Sequence, residues 1–377
     1  MTSRRGVDVA ILPTLRSHAG MSMSLYTSEL MSGLDGIKGI AARVVWPPFA
    51  SEHPAGWFAE HWDRYVRYAG WCRQLRSELF HIADHSNAHL LLSLPASRTV
   101  ITCHDLYPVA VALGRVKFEG REPRHLMIPT AFRVSLLRKA AAVAAISQHT
   151  LKECEDFFGI PRKRLYVAYH GVSIAYRSTN GPAAARLFEE RLALPPGQIK
   201  ILHVGSNDPR KNLKTVFHVV AALREAWGRN VSLIKVGAKF GPRETRAVRE
   251  LGLQEVVHDL GPISAQEIAH AYRACDVLLY PSFHEGFCRP VAEAMACGLP
   301  VVASNHGAIP EVVQGTSSLF DPEDVPGIAR QIVRITESYD LREEMVERGK
   351  QAAEKFTWEA HGEVMAGVYR AVARPWV

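Results

Sequence analysis

At 377 residues the chain is too long for one ordinary hydrophobic core and suits two α/β domains, on the order of 150 residues each. Hydrophobic residues make up 47% and charged residues 22%, with a mean hydropathy of -0.05, and no apolar run approaches the roughly 18 residues of a spanning helix, which excludes a membrane-embedded bundle. Lys and Arg number 45 against 38 Asp and Glu, a net charge of +7, which favours anionic partners such as phosphates or lipid headgroups and by itself leaves nucleic acid open.

In chain order, Met1 to Ala10 reads as a short polar lead into a strand rather than a signal peptide, so a cytoplasmic location is expected. Short apolar runs at Val7–Leu12, Arg43–Trp46, Thr99–Cys103, Ala141–Ile146 and Leu165–Ala168 alternate with longer helical patterns, as in a parallel sheet. Between the first two and the third, Trp57, Trp62, Tyr65, Tyr68 and Trp71 interleave with Arg64, Arg67, Arg73 and Arg76. That mixture suits either an anionic membrane interface or a core-facing aromatic stripe with a solvated basic face, and the basic run Arg115 to Lys139 adds weight to membrane contact. His81, His85 and His89 are spaced as metal ligands on a helix face would be, but they precede Leu90 to Leu92, and a loop or packing role is expected.

Ser178-Thr179-Asn180-Gly181-Pro182 is a turn-rich break, taken as the boundary between a domain over 1–180 and a second over 181–357. A second strand series follows at Ile201–Val204, Leu233–Val236, Val256–Leu260, Val277–Tyr280 and Pro300–Ala303. The tail over 358–377 reads as a helix that packs back on the first domain, since it cannot bury itself alone. The six cysteines show no CxxC pair, so neither a structural zinc site nor a disulfide framework is expected.

The chemistry concentrates in two stretches. In Tyr280-Pro-Ser-Phe-His-Glu-Gly-Phe-Cys-Arg-Pro-Val-Ala-Glu-Ala-Met-Ala-Cys-Gly-Leu-Pro300 a strand ends, a loop follows, and a helix is expected from Pro290 to Cys297, opened by proline and closed by Gly298. Glu285 then lies in a loop at the carboxyl end of a strand, and Glu293 one turn into the helix leans back towards it. Gly286, Phe287 and Cys288 offer backbone amides to a polyol, next to carboxylate acceptors. The second stretch, His203-Val-Gly-Ser-Asn-Asp-Pro-Arg-Lys-Asn-Leu-Lys-Thr-Val-Phe217, is again strand, turn at Gly205, and a helix starting near Asn212 or Leu213. Arg210 and Lys211 stand beside that helix start, where two fixed cations hold a diphosphate and stabilise the charge that builds on it as a glycosyl bond breaks.

With these motifs, with PEV at Pro310 to Val312, TCHDLYP around His104 and Asp105, AISQHT around Ser147, YHGVS, and FTW near Trp358, the chain resembles the retaining glycosyltransferases of family 4 over nearly its whole length. The resemblance implies a GT-B fold: two Rossmann-like, doubly wound parallel-sheet domains facing across a cleft, the first for the acceptor and the second for the nucleotide-sugar donor. It implies that Arg210 and Lys211 bind the donor diphosphate, Glu293 the ribose, and Glu285 with the amides of Gly286, Phe287 and Cys288 the transferred sugar. It also places His104 near donor sugar and acceptor, Gly20 near the phosphates and Gly205 in the donor turn, with no metal or cofactor required beyond the donor itself. The expected catalytic group is therefore His104, Arg210, Lys211 and Glu285.

Two positions depart from the family pattern: His18-Ala19-Gly20 stands where paired glycines are common, and Cys288 where glycine is frequent in the sugar loop. The HDLYP context resembles the mannosyltransferase branch of polysaccharide assembly, which implies GDP-mannose as donor, a UDP-sugar being the alternative, and a lipid-linked glycan acceptor at the cytoplasmic face of the membrane. Nucleic acid is not an expected partner. A same-fold epimerase, and a silent sugar-binding subunit, are the competing readings; a nicotinamide dehydrogenase is disfavoured because neither opening strand is followed by G-x-G-x-x-G.

Overall fold

The computed structural model describes residues 6–15, 21–49, 56–116, 127–177, 181–192, 194–195 and 197–373. They divide into two compact units, the first holding residues up to 115, those to 171 and those from 356 on, the second chiefly 172–355. The chain enters the second unit ahead of the Ser178 to Pro182 run at which the boundary was expected.

The first unit carries a parallel sheet of β1 (Val7–Leu12), β2 (Ile40–Val44), β3 (Leu79–Ile82), β4 (Thr99–Cys103), β5 (Ala142–Ala145) and β6 (Leu165–Val167), in the order β2-β1-β3-β4-β5-β6. Its strands are apolar on both sides because both faces are covered. Val9 and Ile11 of β1 pack with helices Met21–Leu34 and Trp358–Ala373, while Ala10 and Leu12 face the opposite core with Phe80, Ile82 and Ile101. The strand β3 was not expected from the sequence: all four of its residues are buried, so no alternation marks it, and His81 interrupts the apolar run.

Helix Trp358–Ala373 joins this unit through unusually close backbone approach. A Cβ built on Gly362 would lie 1.8 Å from the carbonyl oxygen of Gly33, and one built on Gly33 would lie 2.1 Å from that of Trp358. A buried hydrogen-bond chain ties the same helix to the sheet. His361 Nδ1 can only donate to the carbonyl of Tyr169 (2.9 Å), so its Nε2 accepts from Tyr26 Oη (3.2 Å); Thr102 Oγ1 then serves Tyr26 (2.9 Å), His81 Nε2 serves Thr102 (2.8 Å), and Tyr369 Oη serves His81 Nδ1 (2.8 Å). With both imidazoles neutral each group in this chain donates once. Burial agrees, lowering the His81 pKa to about 3 and that of His361 to about 4.

The second unit carries β7 (Ile199–Gly205), β8 (Val231–Gly237), β9 (Val257–Gly261), β10 (Val277–Tyr280), β11 (Val301–Ser304) and β12 (Ser318–Phe320), all parallel, in the order β12-β11-β10-β7-β8-β9. Ile201, Leu233, Leu279 and Val302 face helices Leu213–Glu225 and Val325–Glu337. In each sheet the strand order reverses once, between β1 and β3 and between β7 and β10, and a crevice opens at the carboxyl ends of strands at such a point.

Candidate functional site

The loops after β7 and β10 flank the switch point of the second sheet, and they are bonded to each other. Asp208 caps a single 3-10 turn over Pro209–Lys211 by accepting from Arg210 N (3.0 Å). Asn212 follows in the left-handed region (φ 56) and is buried. Its Nδ2 donates to the carbonyls of Pro281 (3.1 Å) and Pro322 (2.8 Å), while its Oδ1 caps helix Leu213–Glu225 at Thr215 N (3.3 Å). The Arg210 carbonyl accepts from Phe283 N (2.7 Å), so the turn is held against the β10 loop by its backbone at Arg210 and by the Asn212 side chain. Beneath it, a Cβ on Gly237 would lie 2.1 Å from the carbonyl oxygen of Gly205, so β7 and β8 meet here at a pair of glycines.

Lys211 and Glu285 form the charged centre. Lys211 Nζ donates to Glu285 Oε1 (2.6 Å) and to Tyr280 Oη (2.8 Å), with both charged side chains about one-tenth exposed (11% and 9%). Ser282 Oγ lies 2.7 Å from the same carboxylate oxygen. Burial alone would raise the Glu285 pKa, but Lys211, Arg210 and the hydrogen bonds from Lys211 and Ser282 outweigh it and hold the group below its ordinary value, so it is a carboxylate. The Tyr280 hydroxyl is pushed well above its usual range by burial and by Glu285. His203, buried below and stacked on Tyr280 at 5.5 Å, is lowered to about 4 by burial, with Lys235 and Lys211 contributing. The two cations of the turn thus each have a carboxylate neighbour, Glu285 at Lys211 and Asp208 at 3.6 Å from Arg210 Nε.

Helix Arg289–Ala296 starts one residue earlier than expected. Cys288 caps it in the left-handed region (φ 73), which explains why glycine suits this position; here a thiol occupies it, buried and with its pKa raised by burial. Gly307, also left-handed (φ +61), leaves room for the backbone of Glu285, whose N would lie 2.6 Å from a Cβ there. Glu293 is buried, accepts from Tyr272 Oη (3.0 Å) and lies 3.6 Å from Arg289 Nε. Gly286 and Phe287 are buried in the turn between the two carboxylates.

In the first unit, His104 follows β4. Its Nε2 donates to the Ala83 carbonyl (2.8 Å), leaving Nδ1 as the buried lone pair, with no hydrogen-bond partner. Burial lowers its pKa to about 4, so it is neutral at pH 7 and accepts rather than donates at Nδ1. Next to it, at this sheet's switch point, Asp84 accepts from Thr14 Oγ1 (2.8 Å), Ser86 N (2.8 Å) and Ser86 Oγ (2.6 Å), and His85 Nδ1 accepts from His104 N (3.2 Å). Burial opposes ionisation of Asp84, yet His85, His104 and Ser86 keep its pKa below normal.

The expected residues of the second unit, Gly205, Arg210, Lys211, Glu285, Gly286, Phe287, Cys288 and Glu293, thus lie on two adjoining loops and one helix start, while His104 belongs to the first unit and Gly20 lies outside the described residues. His81, His85 and His89 do not share a helix face: His81 sits in β3 with both ring nitrogens engaged, and His89 Nε2 is bonded to the Arg64 carbonyl at 2.9 Å. Ser282 and Tyr272 went unremarked in sequence, and Tyr280 and Asn212 were read only as a strand end and a helix start; Asp84 carried no signal, since the strand β3 that precedes it was itself not expected.

Two parallel sheets, each with polar loops at its switch point, define the GT-B class of glycosyltransferases. Residues 186–352 match the family model described as glycosyl transferases group 1, and residues 3–176 that described as Glycosyltransferase Family 4. A D-inositol 3-phosphate glycosyltransferase of Streptomyces bingchenggensis is 28% identical over 286 residues, 72% of this chain and 61% of that protein. O-antigen chain mannosyltransferase B of Escherichia coli is 29% identical over 225 residues, 59% of this chain and 58% of its own. The aligned part of the chain thus spans about three fifths of the length of these curated relatives (61% and 58%). Among solved structures, sucrose-phosphate synthase of Thermosynechococcus elongatus superposes with a TM-score of 0.77 at 20% identity, covering 96% of this chain and 98% of that one. The chain belongs to glycosyltransferase family 4.

Proposed function

We propose that the chain transfers a sugar from a nucleoside diphosphate to a hydroxyl of a growing glycan with retention of anomeric configuration. Mannose from GDP-mannose is the donor proposed, and a lipid-linked glycan at the cytoplasmic face of the membrane the acceptor. The observation that carries the reading is the Lys211–Glu285 pair at the switch point of the second sheet, with Arg210 in the same turn. The mannosyltransferase relative supports the choice of sugar.

Arg210 and Lys211 bind the diphosphate oxygens, and their charge stabilises the leaving group as the bond from the anomeric carbon to the phosphate oxygen lengthens. The acceptor hydroxyl attacks that carbon from the same face and passes its proton to the departing diphosphate oxygen, so that a glycosidic bond replaces the phosphate bond. Glu285, kept ionised by its neighbours, accepts hydrogen bonds from sugar hydroxyls beside the Gly286 to Cys288 turn, and Glu293 takes the ribose hydroxyls. His104 accepts a hydroxyl hydrogen at Nδ1. No step calls on a metal ion.

Thermal-shift and calorimetric titration with GDP, UDP, ADP, dTDP and their sugar conjugates tests the donor, because a ligand that binds only the folded chain raises its stability. A selective GDP and GDP-mannose response is expected. A UDP response would replace the donor and keep the mechanism; no response to any nucleotide would favour the silent sugar-binding reading.

A further inference from the structure

One helical segment of the first unit turns its apolar residues outward. Helix Trp57–Trp62 runs through a π-helical turn, Asp63–Arg67, into helix Tyr68–Cys72. Phe58, Trp62 and Val66, at steps of four, are 73%, 50% and 45% exposed, and the Phe58 and Trp62 rings stack with centroids 6.4 Å apart. A π turn is wider than an α turn, so steps of four stay in one line here instead of drifting round the helix. The inward positions are already filled: Asp63, Tyr68 and Cys72 are buried, and Tyr68 Oη donates to the Pro13 carbonyl at 2.8 Å. The aromatics singled out in sequence are therefore divided, with Tyr68 in the core, Trp71 packed against it and Trp62 outside it, beside Phe58.

A second element extends the face. Helix Ile128–Val134 exposes Ile128 (57%) and Phe132 (72%), and the Arg133 guanidinium lies 5.0 Å over the ring of Tyr65, which Arg64 also covers at 5.5 Å. Across residues 57–76 and 128–139 there are seven Lys and Arg against two Asp and Glu. One of those acids, Asp63, is buried against Arg67 (2.9 Å), while Arg73, Arg138 and Lys139 are exposed. Exposed aromatics beside a surplus of cations are poor at facing bulk water and well matched to anionic headgroups.

We infer that this face docks the first unit on an anionic lipid surface, with Phe58, Trp62, Ile128 and Phe132 entering the headgroup layer and the arginines meeting lipid phosphates. The inference deepens the proposal that the acceptor is lipid-linked; transfer to a soluble acceptor does not depend on it. Among the described residues no helix is long and apolar enough to cross a membrane.

Vesicle flotation tests it with the full chain, comparing vesicles containing phosphatidylglycerol with pure phosphatidylcholine. The chain is expected to float with the anionic vesicles only and to be released by high salt. Phe58→Ser with Trp62→Ser should weaken vesicle binding about tenfold or more through lost apolar burial, and separately Arg73→Glu with Arg138→Glu and Lys139→Glu should weaken it about a hundredfold, since each basic residue adds about fivefold in affinity. Thermal stability and transfer to a soluble glycan acceptor should stay unchanged in both variants. Absence of flotation, flotation indifferent to both variants, or an apolar double variant that instead converts a dimer to a monomer would each overturn the inference. Loss of all transfer with flotation intact would count against the proposed reaction and leave the docking face standing.

Discussion

Replacing Lys211 by Met removes an ammonium that the Glu285 carboxylate holds at 2.6 Å in a nearly closed site. The carboxylate keeps Ser282 as a donor but loses its counter-charge, and leaving one member of a buried pair uncompensated costs about 3–5 kcal/mol. Spread over a cooperative unit of this size, that corresponds to a fall of roughly 6–20 °C in the melting temperature of the second unit. Glu285→Gln leaves the lysine buried beside Tyr280 Oη and should cost a similar amount. The double variant, with neither charge, should lie within about 1 kcal/mol of the unmodified chain, giving a coupling energy of about 5 kcal/mol or more.

The sign with pH separates this from a simple packing defect. In the unmodified chain the Glu285 pKa is depressed, so its stabilisation is present above the ordinary glutamate value of 4.5 and lost as the pH falls through the lower folded value. In Lys211→Met, burial is no longer outweighed as strongly, the folded pKa rises, and the penalty should shrink as the pH falls from 8 towards 5. Urea unfolding of the four proteins at both pH values measures all of this. Single variants each costing under about 1 kcal/mol, or a double variant equal to the sum of the singles, would refute the reasoning.

Three further outcomes follow from the same structure. His81, His89, His104 and His361 of the first unit have pKa values of about 3 to about 4, against only His203 at about 4 in the second among the described residues. Neutral burial is stabilising above about 6.5, and each group titrated singly would lose about 3 kcal/mol as the pH falls to 4, so hydrogen exchange should report opening of peptides from β3 and β4 before those from β7 and β8. Gly362→Ala places a methyl 1.8 Å from the Gly33 carbonyl and should destabilise the first unit by several kcal/mol, or force helix Trp358–Ala373 off it, visible as protease cleavage near residue 356. His104→Phe keeps an aromatic ring and removes the Nδ1 acceptor together with the Nε2 donor to the Ala83 carbonyl; transfer should fall about tenfold or more with nucleotide affinity unchanged, whereas equal loss of both would point to a packing role.

Most of the architecture was legible because doubly covered parallel strands read as short apolar runs between helical patterns. β3 escaped because Leu79–Ile82 is buried on both faces and holds His81, and β12 because three half-buried residues make no pattern. The charged centre was legible as two separate motifs, but the contact between Lys211 and Glu285, 74 residues apart, depends on β7 lying beside β10. Ser282 stood within the quoted motif, yet one hydroxyl in a loop does not announce which oxygen it serves. Cys288 is the reverse case: its departure from glycine was visible in sequence, and the left-handed backbone supplies the reason. The division of the Trp57 to Arg76 aromatics could not be read at all, since a π turn shifts the periodicity on which such a reading rests.

The measurement that bears most directly on the central claim is NMR of the glycosidic product formed from GDP-mannose, by the unmodified chain and by Lys211→Met. The account predicts a product whose anomeric carbon keeps the donor's α configuration, formed at least about a hundredfold more slowly by the variant. A β-linked product, or an unchanged rate in the variant, would contradict it.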